Sequence, residues 1–478
     1  MHGGRIAAGA MLVAALVAGC GGGGGGKDGE GANGGNKGGG STFGAEKAVS
    51  LSVPSAYRGD KGWDGTLNWV PGSVHTLPVA AARETGVVAL LHVASNGYTL
   101  KVHAADSGEV RWTSGAWQPP TPVEGAEGNS EYGEAAEIPD VTTVVQDGEE
   151  YVVAYAHGMK GKDELHNGTE VVQLAVYKAG ATGDSVEPLR VIDVPVSAGP
   201  GEVRVSDDGG RLMVGSGDDP KFPDQAVSVD VLTGKVVEYE DVDALLPQCA
   251  EQQLCNNSRV VAVSAEGPLV DMGGGGFGVP GGWFSNAVRP GGVPAKAGLF
   301  EQWNGTVYGV GDGLVLAGWT MPGENGRSEG DPMWSVHDIT TGALRASMTC
   351  DFDLPIGLFA KRKHPVVTSA DGRYLAAGPV AFDLEEKRGV CLATDGDRKT
   401  IALSSVRADG TAYGVVESDA GADGSPVIAQ VDLTTSAGQA EVLDAGVEAP
   451  LYTDLKGQGL FLGRDENENV RVSLRQES

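Results

Sequence analysis

The chain has 478 residues, 64 of them acidic and 35 basic, for a formal charge of −29. So negative a balance repels nucleic acid and anionic headgroups, which excludes both as general partners. A hydrophobic fraction of 41% can build a core, so disorder is not the default, and 76 glycines suit a turn-rich β protein.

At the amino end Arg5 is the only charge before position 20, and residues 6–19 are rich in Ala and Val and end in small residues. This is the composition of a cleaved signal segment, and it is shorter than the ~20 residues needed to cross a bilayer. The run Leu16-Val17-Ala18-Gly19-Cys20 resembles the lipobox of bacterial lipoproteins. The resemblance implies that residues 1–19 are a signal peptide and that Cys20 carries a diacylglycerol. It also implies that the mature chain is held on the outer, extracytoplasmic face of the cell membrane. Ordinary secretion with a coincidental cysteine is the alternative. Losing Arg5 leaves 34 basic and 64 acidic residues, a net charge of −30.

Residues 20–44 then form the lipidated cysteine and a tether. Fourteen of residues 21–44 are glycine, a composition that buries nothing and reaches about 25–30 Å as a flexible coil.

From residue 45 onward, short alternating runs are divided by Gly-containing turns. Residues 98–112 show the form: an alternating strand, the turn Asp106-Ser107-Gly108, and a returning strand that ends in Trp112. Related turns recur at Thr182-Gly183, Thr233-Gly234, Thr341-Gly342, Gly389 and Gly438, with glycine gaps of 75, 51, 108, 47 and 49 residues. A second marker, an Asp-Gly hairpin at Asp208-Gly209, Asp371-Gly372 and Asp409-Gly410, precedes these turns by half a period. Inner hairpin followed by outer hairpin makes a four-stranded blade, and a period of about 40–50 residues is that of propeller blades.

These units resemble the repeats of quinoprotein-like (PQQ-like) and WD40-like β-propellers. The resemblance implies an all-β fold, a single propeller over residues 45–478. A poorly marked unit at about 259–302 makes eight blades; without it there are seven. The Gly-His and Trp-Asp signature of WD40 repeats is missing, since Trp63-Asp64 precedes the first repeat. Residues 451–454, 459–463 and 470–474 read as three strands of the last blade, its fourth coming from residues 48–53.

Four cysteines remain besides Cys20. Their positions suggest the disulfides Cys249–Cys255, within one polar loop, and Cys350–Cys391, on outer strands of consecutive repeats. No pair has the short spacing of a structural zinc site.

Chemical motifs are few. Residues 273–278 match G-x-G-x-x-G by the letters, but Pro280 and further glycines follow instead of the helix a dinucleotide needs. The same Gly/Pro-rich stretch carries Trp283, Phe284 and Arg289, materials for a binding loop or for packing at a blade edge. Acid pairs such as Asp207-Asp208 sit in turns, where Asp serves local hydrogen bonds. Nine acids and no Lys or Arg lie between Arg111 and Lys160, a solvated loop or a recognition loop for a basic partner. The adjacent cysteine pair of quinoprotein dehydrogenases is missing, as are metal patterns and catalytic motifs.

The expected function is therefore binding or scaffolding without catalysis, with a protein or small-ligand partner in the cell envelope, membrane contact through the lipid, and no cofactor or metal. The alternative is a propeller enzyme with a loop-borne site, a quinoprotein-type oxidoreductase or a hydrolase.

Overall fold

The computed structural model describes residues 46–478, except residues 75, 129–135, 218–222, 224, 247–257, 273–274, 295–304, 322–329, 353–363, 397, 418–425 and 436–437. The signal segment, Cys20, the tether and the Cys249–Cys255 pairing lie outside the described residues. Gly44–Ser478 is one compact unit.

Eight sheets follow along the chain, antiparallel except that Gly183–Val186 adds a fifth, parallel strand to the outer edge of blade 1. Blade 1 is Val79–Ala82, Val87–Ala94, Gly97–Ala104 and Val110–Ser114; blade 2 is Asp140–Gln146, Glu149–Lys160, Thr169–Lys178 and Arg190–Pro195. Blade 3 is Val203–Ser206, Leu212–Ser216, Gln225–Val229 and Val236–Tyr239; blade 4 is Arg259–Ser264, Gly267–Asp271 and Phe277–Gly278. Blade 5 is Thr306–Gly311, Leu314–Met321, Gly330–Asp338 and Leu344–Thr349; blade 6 is Val367–Thr368, Tyr374–Ala377, Val380–Asp383 and Arg388–Cys391. Blade 7 is Ile401–Val406, Thr411–Val416, Ile428–Asp432 and Gln439–Val442. Blade 8 joins Gln458–Arg464 and Val470–Glu477 to the amino-terminal Tyr57–Leu67 and Glu46–Lys47. The described helix is one α-turn, Val242–Leu245, and one 3-10 turn, Ser285–Ala287.

Eight apolar cores lie one between each pair of consecutive sheets, and the core between blades 8 and 1 completes the ring. The chain is an eight-bladed β-propeller. The second strands Leu212–Ser216 and Tyr374–Ala377 are buried along their whole length because a neighbouring blade covers each face. The outermost strand Gln439–Val442 is exposed throughout.

The outer turns repeat one device. Asp230, Asp338, Asp383 and Asp432 each turn a carboxylate oxygen onto the amides two or three residues ahead, closing the outer hairpin locally. Gly342 takes the left-handed position of its turn at φ 70°. Gly389, expected in such a turn, instead lies inside Arg388–Cys391, where a Cβ would collide with Met348.

Consecutive blades are also bolted together at the rim. Trp63 donates its indole N–H to the Ala105 carbonyl (2.9 Å), Trp112 to Ala179 (3.0 Å) and Trp283 to Ile339 (2.8 Å). Arg190 and Arg388 make the equivalent bond to Leu232 and Leu433. In each case a side chain on the outer part of one blade satisfies a carbonyl where the next blade begins its outer turn.

Ring closure departs from expectation. Residues 48–53 are not a strand, and Val49 is 67% exposed. The strand that pairs with Val470–Glu477 is Tyr57–Leu67, which buries Tyr57, Trp63 and Leu67, while residues 48–53 add the partly buried Leu51 and Val53 against the Tyr57 cluster. Trp63-Asp64 therefore lies within blade 8, not ahead of the repeats. Residues 451–454 reach the ring's inner side through a single bridge, Tyr452 to Leu460. Cys350 and Cys391 are joined, stapling the outer edges of blades 5 and 6.

Candidate functional site

The first strands of the blades face the ring axis, and the hairpins that follow them gather at one end of the channel. Arg83, in the blade 1 hairpin, donates to the Thr368 carbonyl of blade 6 (3.2 Å) and lies 3.9 Å from Asp312 of blade 5. In a ring of eight, blades 1 and 5 are opposite, so this side chain crosses the axis. Thr368 also donates to Asp312, and the Gly313 amide donates to the Asp208 carbonyl of blade 3 (3.1 Å). Asp207 and Asp208 follow the first strand of blade 3, with Arg204 of that strand on Asp208. Asp140 opens the first strand of blade 2 and so lies toward the other end, taking bonds from Tyr155 (3.0 Å) and the Val141 amide (2.7 Å). Tyr452, with Arg83 against its ring (5.5 Å), completes the lining from blade 8.

Among the described residues named here, four aspartates stand against two arginines, and Asp312 is open to solvent while Asp140 is buried. Burial, with Asp208 and Asp312 adding repulsion, pushes the Asp207 carboxyl up to about 7. Burial pushes Asp140 up to about 6 despite its hydrogen bonds. Asp208 is raised by burial, against the pull of Arg204. A carboxyl raised above its unfolded value binds protons more tightly in the fold, so its contribution is greatest at low pH and falls as pH rises toward that value. Asp207→Asn is expected to flatten the decline in stability between about pH 4 and pH 7, measured by denaturant unfolding across that range. An unchanged slope would remove Asp207 from the acidic cluster.

The expected binding loop is placed differently. Trp283 and Phe284 are each 9% exposed and straddle blade 4, Trp283 in the core toward blade 5 and Phe284 in that toward blade 3. The Phe284–Gly278 bridge stands where the other blades have a fourth strand. Both rings are consumed by packing, while Arg289 bonds Asn286 in the adjoining turn. Asp207-Asp208, read as turn acids, do form a turn and also face the channel. Arg83, Arg204 and Asp312 carried no sequence signal of their own, and Asp140 was legible only as one of the nine acids between Arg111 and Lys160. Among the described residues no group of three or more His, Cys, Asp or Glu side chains is arranged to hold a metal ion.

The chain matches no protein-family model and no curated protein. Among solved structures it is similar to the propeller of Dos1, at 10% identity and TM-score 0.37, over 86% of this chain and 95% of that one. It is also similar to the polysaccharide lyase Uly1, at 11% and 0.39 over 91% and 98%. A third is a GH74 xyloglucanase from Xanthomonas campestris, at 11% and 0.32 over 84% and 52%. Identities this low concern the fold alone.

Proposed function

We propose that the protein is a lipid-anchored, extracytoplasmic propeller that binds a partner of the cell envelope through its channel and does no chemistry on it. The observation that carries the binding is the placement of Asp140, Asp207, Asp208 and Asp312, from three blades, along the inner strands and their hairpins, with Arg83 near Asp312 and Arg204 on Asp208. An acidic lining of this kind favours an ammonium or guanidinium group. The anchor rests on the Leu16–Cys20 pattern and the glycine tether behind it.

Two measurements test the two halves. Cys20→Ala is expected to give a soluble folded chain or an uncleaved precursor, because acyl chains supply stable attachment; a processed variant that still partitions with membranes refutes the anchor. Capture from intact envelopes with wild type, lost with the double variant Asp207→Asn and Asp208→Asn, supports channel binding, and equal capture by both refutes it.

One observation favours a second, hydrolytic reading: a carboxyl raised to about 7 beside another carboxyl suits a general acid. Turnover of a glycoside that Asp207→Asn abolishes would replace the binding reading.

A further inference from the structure

His157 lies on the second strand of blade 2 with its side chain 1% exposed, and both ring nitrogens face carboxylates. Nδ1 is 3.1 Å from Glu137 Oε1 and Nε2 is 2.9 Å from Glu170 Oε1. Glu137 belongs to the connection from blade 1 to blade 2, and its own amide donates to the Ala126 carbonyl (2.7 Å). Glu170 stands on the third strand of blade 2. The same carboxylates hold the connection from blade 2 to blade 3: Glu137 accepts from the Gly201 amide (3.2 Å) and Glu170 from the Ala198 amide (2.7 Å). Three separate parts of the chain thus meet on one imidazole.

A neutral imidazole has one N–H and one lone pair. Placed between two carboxylates, its bare nitrogen would turn a lone pair on an anion in a site with little water. The geometry calls for the doubly protonated ring, one charge shared by two acids. Burial alone would lower the affinity of His157 for that proton, but Glu137 and Glu170 outweigh burial and hold it above the ordinary imidazole value. Among the described residues, the charges that act on the ring are those of Glu137 and Glu170. Tyr155, on the same strand, is within the field of Asp140, Glu137 and Arg204 of blade 3, and Glu202 is turned onto the Gly199 amide. Lys160 is committed to Asp193.

We propose that His157 is a proton-operated latch: with its proton it holds the blade 1–2 connection, through Glu137, and the blade 2–3 connection, through the Ala198 and Gly201 amides, against blade 2, and without it both are released. The latch contributes fully below the ordinary imidazole range and is lost as pH rises through the raised value. Two half-buried glutamates with no cation between them then gain more from water than from each other. The surface so controlled is the flank of the nine-acid segment, of which Glu137 is one member.

The test is ring-nitrogen NMR of His157 in the full chain, alongside amide hydrogen exchange corrected for intrinsic rate, from about pH 6 to pH 10. The ring is expected to be doubly protonated at neutral pH. The Glu137, Ala198 and Gly201 amides should lose protection at the pH where the ring loses its proton, while Val172–Val176 stay protected. Glu137→Gln keeps a hydrogen-bonding group of the same size and should lower the His157 midpoint by about 1–3 pH units, carrying the loss of protection with it. A singly protonated ring at neutral pH, or protection that does not follow the ring's titration, overturns the latch.

Discussion

Arg475→Met should cost about 3–5 kcal/mol, the cost of leaving one member of a buried ion pair alone, and lower melting by roughly 3–6 °C at the usual unfolding entropy per residue for a domain of this size. Arg475 and Asp64 are almost wholly buried at the seam of blade 8, joined at 2.8 Å. The guanidinium also donates to the Trp63, Leu474 and Val49 carbonyls, and the other Asp64 oxygen accepts from the Val49 amide (2.7 Å). One side chain near the carboxyl terminus thereby ties down three points of the amino-terminal segment. The double variant Asp64→Leu and Arg475→Met removes both charges and should recover most of the loss, since packed apolar groups replace a buried pair at little net cost. If the single variant melts like wild type, the pair does not hold the seam. Deleting residues 46–67 should be harsher, because it uncovers the edge of Val470–Glu477 and invites aggregation. Deleting residues 22–44 should change melting little.

Removing the staple between blades 5 and 6 ranks next. The double variant Cys350→Ala and Cys391→Ala should lose about 4 kcal/mol, the chain-entropy value for a closed loop of this length, given a separation of 41 residues. Cys350 is buried, and its carbonyl accepts from the Trp334 indole (3.3 Å), so the local packing has reason to survive the loss. Denaturant unfolding of the two forms measures the difference. A loss below about 1 kcal/mol would mean that the unfolded chain is not restrained by this link.

The repeats were legible because each blade writes its turns locally. An Asp whose carboxylate caps the amides two and three residues ahead, followed by a glycine in the left-handed region, needs no partner from elsewhere, so Asp338 to Gly342 reads as a turn from the letters alone. The faint unit at 259–302 was hard to read for the complementary reason. Its outer layer is a loop held by Trp283 and Phe284 on two different neighbours, and neither contact leaves a periodic trace. Their aromatic character drew attention to binding, when burial between blades is what uses it.

The sequence by itself determined the all-β repeat and the near-period of the blades, which follow from local turn chemistry and spacing; it left eight blades against seven and suggested the Cys350–Cys391 pairing, and the structure has eight blades and that disulfide. Tertiary structure alone decided where the ring closes, and which acids share the channel. Closure went to residues 57–67 because Tyr57, Trp63 and Leu67 fill a core and Asp64 meets Arg475 across 411 positions. The channel's chemistry arises because a ring brings the same hairpin of every blade to one axis. Arg83 and Thr368, 285 residues apart, become hydrogen-bonded neighbours there, and no local pattern records a meeting made by closure.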